Sequence, residues 1–182
     1  MNEEKIKSLI STLGFTNLKI IDTSILEFNS IFRDYCKENL CGNYNRNYSC
    51  PPKCKSAEEM KNKVLSYNTA LVLTKNFVIE DLTDKDKIQL CQKQLNDSLI
   101  KLKNEFANCS IDCLMIGSSH CNLCKLCKLE LKEPCAHPDL QFSCMSAYCI
   151  NVKNLAEYCD MNYEYKNNSL SLFGMLVFNN KD

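Results

Sequence analysis

Net charge is missing from this chain: 22 Lys and Arg residues stand against 22 Asp and Glu. That balance leaves no electrostatic footprint for nucleic acid or an anionic membrane surface. Long apolar runs are missing too, and nothing approaches the ~20 residues that a membrane helix requires. The opening Met1-Asn2-Glu3-Glu4-Lys5 is polar and lacks the apolar centre of a signal peptide, so a cytoplasmic location is expected. Histidine is scarce, with two copies, which leaves a Ser–His–Asp or Cys–His–Asn centre little to stand on. No phosphate loop, dinucleotide fingerprint or nucleophile elbow occurs. The cysteine signature of radical S-adenosylmethionine enzymes is also absent, because Cys50-x3-Cys54 is not followed by a cysteine three positions on. Repeats, low-complexity tracts and clear linkers are lacking as well.

Cysteine, by contrast, is abundant, with 14 copies. In a small secreted chain that number would mean a disulfide framework. With no export signal, the reducing cytoplasm turns the reading towards metal binding instead. An apolar fraction of 45% with 24% charged residues describes an ordinary globular protein, and residues 1–182 are expected to form one domain.

Periodicity supplies the elements. Ile6, Leu9, Ile10 and Leu13 share one helical face, with Gly14 as the stop. Leu18 to Leu26 reads as a strand or hairpin arm, Ile31 to Cys36 as a short amphipathic helix, and Ser56 to Ser66 as a helix leading into a buried strand at Ala70–Leu73. Ile88, Cys91, Leu95, Leu99, Leu102 and Phe106 follow helical spacing, with Thr83 and Asp86 resembling a capping box. Ile111–Ile116 reads as a second buried strand, so this stretch is a βαβ unit with a parallel pair. A helix near Val152–Cys159 and a strand over Leu170–Phe178 complete the domain. The expected class is α/β (or α+β), a small sheet with flanking helices and a cysteine-rich metal-binding lobe built from loops 36–54 and 121–149.

The sharpest motif is Cys121-x2-Cys124-x2-Cys127, followed by Cys135. Thiols at three-residue steps can wrap the corners of one cubane iron–sulfur cluster, with a fourth ligand arriving from further away. Thiolates so close repel one another and must be protonated, oxidised or neutralised by a metal. Lys125, Lys128 and Lys132 are candidates to offset the negative charge of such a centre. Zinc is the alternative, although zinc sites usually pair two short spacings across a longer gap. The run follows Gly117 at the carboxyl end of a strand, where open α/β sheets place their sites.

A second group, Cys36, Cys41, Cys50 and Cys54, lies in a polar segment stiffened by Pro51 and Pro52. Tyr35, Tyr44 and Tyr48 could wall a buried cluster there, and Cys54 is the weakest member. Cys91 reads as core, and Cys109, Cys113 and Cys159 as core or partly exposed thiols. Structural roles are favoured for His120 and His137, while Cys144 and Cys149 stay open.

The segments Cys36-x4-Cys41-x2-Tyr44-x5-Cys50-Pro51-Pro52 and Cys121-x2-Cys124-x2-Cys127-x7-Cys135-x-His137-Pro138 resemble the bacterial and archaeal "predicted metal-binding proteins" (domain of unknown function 2284). Met145-x-Ala147-Tyr148-x-Ile150-Asn151-Val152 and the closing strand continue the likeness. The resemblance implies a metal-binding protein without an assigned reaction. Its implied ligands are Cys36, Cys41 and Cys50 from one motif, and Cys121, Cys124, Cys127 and Cys135 from the other. The chain departs from the family where a Pro-Ser pair, a Glu and a Gly are expected, carrying Ser143-Cys144, Ser146 and Cys149. Asn45 stands for an expected Gly and Tyr48 for an expected Trp.

The expected function is an electron carrier or redox accessory protein that holds one or two 4Fe-4S clusters and serves a redox partner protein. The alternatives are a zinc-bound interaction module, or an enzyme whose cluster has an open iron site.

Overall fold

The computed structural model describes residues 3–180 apart from 164 and 167. Helix α1 (Glu3–Thr12) ends in a turn at Gly14, whose φ of +75° is left-handed and suits glycine. Strand β1 (Asn17–Asp22) leads through a 3₁₀ turn to α2 (Ile31–Lys37). After an irregular cysteine-bearing loop comes α3 (Ala57–Leu65), started by a full capping box between Ser56 and Glu59. Strand β2 (Thr69–Val78) then leads into the long helix α4 (Lys85–Asn108) and strand β3 (Cys113–Gly117). The second cysteine loop follows. It ends at the two-residue strand β4 (Ser143–Cys144), after which come α5 (Val152–Tyr158), β5 (Tyr165–Lys166) and β6 (Ser169–Phe178).

The expected cap of α4 moves by one residue. Asp84 is the N-cap and accepts from the Lys87 N–H, while Thr83 is drawn back to Asp81 by two hydrogen bonds, from its N–H and its hydroxyl. An Asx turn therefore competes successfully for the threonine.

The six-stranded sheet runs β1-β2-β6-β3-β4, with β5 pairing β6. Here the expected parallel pair is corrected. β2 and β3 are joined by α4 and each runs antiparallel to β6, so they are parallel to one another with β6 between them. The reason lies in β6 itself. Apart from Ser169 and Ser171 it is apolar, and nine of its ten positions are buried, so it needs cover on both faces and belongs at the centre of the sheet. β1, mostly exposed, takes an edge.

Each face of the sheet carries its own core. On one face Leu95, Leu99, Leu102 and Phe106 of α4 pack with α1 over Leu71, Leu73, Leu176 and Phe178. On the other, α3, α5 and the segment 145–150 pack over Ala70, Val72, Met175 and Val177. Gly174 lets α4 sit this close, because a Cβ there would lie 2.4 Å from Leu99 Cδ1. Gly174→Ala is expected to cost about 1–3 kcal/mol through overpacking, read as a lower denaturant midpoint. An unchanged midpoint would mean that α4 has slack. No helix among the described residues is long and apolar enough to cross a membrane.

Candidate metal centres

The second cysteine loop leaves the sheet at Gly117 under the control of a buried polar residue on α4. Asn96, fully buried, accepts from the Ser118 N–H through Oδ1 (3.1 Å) and donates from Nδ2 to Ser119 Oγ (3.0 Å). Beyond that anchor, Cys121, Cys124, Cys127 and Cys135 line one narrow cleft of about 20 Å³, walled by Tyr48 and His137. Cys121, Cys124 and Cys127 also border a wider groove of about 620 Å³. The four thiols of the second motif thus border one cleft. Of the three lysines expected beside these thiols, Lys128 lines the cleft while paired with Glu133 (2.7 Å), Lys125 borders the wider groove, and Lys132 is exposed and lines neither.

The first loop is docked from two sides. Phe28 bridges Ile150, and the Arg33 guanidinium donates to the Ala147 carbonyl (2.7 Å) and the Lys55 carbonyl (2.9 Å). That brings α2 and its Cys36 against the segment that follows β4. Cys36, Cys41 and Cys50 line a cavity of about 430 Å³ together with Tyr35, Tyr44 and Cys144. His120 borders the same cavity, and burial holds its imidazole below the ordinary pKa. Cys54 does not line that cavity and packs against the core on the α3 and α5 side. Cys149 is buried in that core, as is Cys159, while Cys91 and Cys113 lie in the core beneath α4 and Cys109 is exposed.

Two departures from the expected family pattern are conformational. Asn45 (φ +59°) and Cys149 (φ +62°) both occupy left-handed backbone where glycine is at ease.

The two loops are bound to each other. The Asn47 amide donates to the Cys121 carbonyl (3.0 Å), and the Cys121 N–H donates to Ser49 Oγ (2.8 Å). Ser49, fully buried, donates in turn to Asn47 Oδ1 (2.8 Å), and its Oγ lies 3.8 Å from Cys50 Sγ. Tyr48 donates to the Glu133 carbonyl (2.8 Å), and Arg46 pairs with Glu130 (3.0 Å). Asn47, Ser49, Arg33 and Asn96 escaped sequence reading because each works through a backbone group distant in the chain. The cue available was their polarity inside segments that the fold buries.

The family described as predicted metal-binding proteins, DUF2284, matches residues 19–178. The chain belongs to that family. No curated protein and no solved structure matches it. DUF2284 membership supports metal binding, and the two thiol groups are where this chain offers donors.

Those donors can be tested for fit. Among the described residues no three Cys, His, Asp or Glu side chains meet closely enough to be recognised as a site for a single ion; instead the thiols surround two spaces. The first cavity has the volume for a multi-atom cluster, whereas the cleft among Cys121, Cys124, Cys127 and Cys135 has the volume of a single ion and would have to widen for more. Asn122, inside the second motif, has both side-chain amide atoms buried without a partner. Leaving them so costs about 1–3 kcal/mol, and a sulfide or thiolate acceptor would satisfy the N–H.

Burial pushes the Cys36 thiol up to about 11, with Cys144 and Cys41 adding to the effect, and burial also raises Cys50, Cys121 and Cys144. The metal-free fold therefore keeps protons that the unfolded chain loses above the ordinary thiol value of 9.0. The folded state binds more protons between that value and about 11, so the stability of metal-free protein falls as pH rises through this window. A thermal midpoint that stays flat from about pH 8 to about pH 11 would contradict the assignment. Metal loading must displace the same protons, so uptake improves as pH rises.

Proposed function

We propose that this DUF2284 protein is an iron–sulfur electron carrier with two centres, serving a redox partner protein. The observation that carries the reading is the junction between the two thiol groups. Cys50, from one motif, and Cys121, from the other, meet at the single buried hydroxyl of Ser49. Two centres joined by so short a path of bonded and hydrogen-bonded atoms suit passage of an electron from one to the other. Cys36, Cys41 and Cys50 would hold one cluster, and Cys121, Cys124, Cys127 and Cys135 the other. Such a cluster, when bound, takes up and returns one electron.

The chain's own groups set the conditions for that chemistry. The Cys121 backbone is held on both sides, its N–H by Ser49 Oγ (2.8 Å) and its carbonyl by the Asn47 amide (3.0 Å), which fixes the placing of that thiol. Asn47 and Ser49 fix the distance between the two loops. Leu40, 81% exposed, and the exposed Leu126 and Leu131 stand on the two loops and offer a partner protein apolar contact close to the thiols.

The test is a redox titration of protein reconstituted with iron and sulfide without oxygen. Reversible bleaching of the visible absorption is expected. Protein that takes up iron and sulfide yet shows no reducible state would overturn the electron-carrier role. A zinc-bound interaction module is the second reading, favoured by the narrow cleft among Cys121, Cys124, Cys127 and Cys135, whose volume suits a single ion better than a cluster. It predicts colourless protein containing zinc.

A further inference from the structure

By sequence, the first motif supplies Cys36, Cys41 and Cys50, and the nearest candidate for a fourth thiol is Cys54. The fold gives the fourth place to a different residue. Cys54 is absent from the lining of the first cavity, while Cys144 belongs to it. We infer that Cys144 is the fourth thiolate ligand of the first centre, completing the set Cys36, Cys41, Cys50 and Cys144. This inference rests on the metal-centre reading above and deepens it.

Three observations carry it. The first is position: Cys144 lines the same cavity as Cys36, Cys41 and Cys50, and Cys54 does not. The four thiols therefore border one space. The second is mounting. Cys144 lies on β4, paired in parallel with Gly117 at the end of β3, so it is presented by the sheet rather than by a loop. The third is the fixing of the residue: the Tyr148 N–H donates to the Cys144 carbonyl (3.2 Å) and the Ile150 N–H to the Met145 carbonyl (3.0 Å), so the turn behind the thiol is tied down. Cys149, nearby in sequence, shows the contrast: it is 2% exposed, packed among apolar side chains, and lines none of the cavities described above.

Two consequences follow. With Cys36, Cys41, Cys50 and Cys144 all serving as ligands, a cluster held there would have its coordination filled by the protein, which suits electron transfer rather than substrate binding. A ligand on β4 also ties the loop 36–54 to the sheet edge, beside the point where the second cysteine loop departs. Metal binding at the first centre would then fix both loops relative to the sheet.

The competing account is that Cys144 is a small apolar filler packed on the core. The two separate in an experiment on the whole chain. Wild-type protein and the variants Cys144→Ala, Cys144→Ser and Cys54→Ala are loaded with iron and sulfide without oxygen. Iron is then counted, and electron paramagnetic resonance spectra are recorded on oxidised and reduced samples. Cys144→Ala is expected to lose the first centre, about half of the bound iron, or to retain it only as a three-iron species with a new signal in the oxidised state. Cys144→Ser keeps the size and the backbone contacts, and decides the matter should the alanine variant fold poorly by circular dichroism. Cys54→Ala should match wild type. Full iron and unchanged spectra in both Cys144 variants would overturn the inference, as would their loss in Cys54→Ala alone. A wild-type chain that takes up no iron would instead sink the underlying iron–sulfur reading, and this inference with it.

Discussion

Cys124→Ser removes the metal of the second centre and leaves the first loaded, so metal per chain falls to about half. Cys124 is the middle thiol of the run and lines the cleft shared with Cys121, Cys127 and Cys135. Serine keeps the size of the side chain, but its hydroxyl is a far weaker ligand than a thiolate for the soft metals that such a site selects. The fold itself should survive. Cys124 is only half-buried and belongs to neither of the two cores, which are built on α4, β2, β6 and the helices opposite. Far-UV circular dichroism should therefore match wild type while metal analysis shows the loss. Undiminished metal in a folded Cys124→Ser protein would mean that the run is not a ligand set.

Stripping the metal from the wild-type protein should release both cysteine loops and spare the sheet. The loops carry little regular structure beyond the 3₁₀ turn at Lys128–Leu131, and much of the second one is exposed. Their mutual ties are few. The three hydrogen bonds from Asn47, Tyr48 and the Cys121 N–H contribute about 0.5–1.5 kcal/mol each, and the partly exposed Arg46–Glu130 pair about 0–1 kcal/mol. Fixing the backbone costs roughly 1–2 kcal/mol for every residue, so these contacts offset the ordering of only a handful of residues. Metal–thiolate bonds must supply the rest. Chelation under reducing conditions should make residues 38–55 and 118–142 exchange amide protons faster and admit proteases, with β2, β6 and α4 still protected. Loops that remain as protected without metal as with it would contradict this.

The elements were legible wherever one period governs many residues. The apolar stripe from Ile88 to Phe106 gave α4, and the runs at Ala70–Leu73 and Leu170–Phe178 gave β2 and β6. Strand order was not legible, because nothing local records that β6 inserts between β2 and β3. The decisive quantity is burial on both faces of β6, which depends on the whole sheet. The two cysteine motifs could be read as groups, since ligands for one centre tend to cluster in sequence. Cys144 could not be joined to Cys36, Cys41 and Cys50 from spacing alone, for it reaches them through the pairing of β4 with β3 and the docking of Arg33 on Ala147. The roles of Ser49, Asn47 and Asn96 were hidden for a related reason. A side chain that bonds a backbone group far along the chain leaves no pattern in its own neighbourhood. The glycine-like slots at Asn45 and Cys149 became intelligible only from their positive φ.

The most direct test is the composition of protein purified without oxygen, with metal content, acid-labile sulfide and visible spectrum taken from one sample. The account predicts brown protein absorbing near ~400 nm, with about four irons and four sulfides for each thiol group. Colourless protein carrying zinc and no sulfide would contradict it.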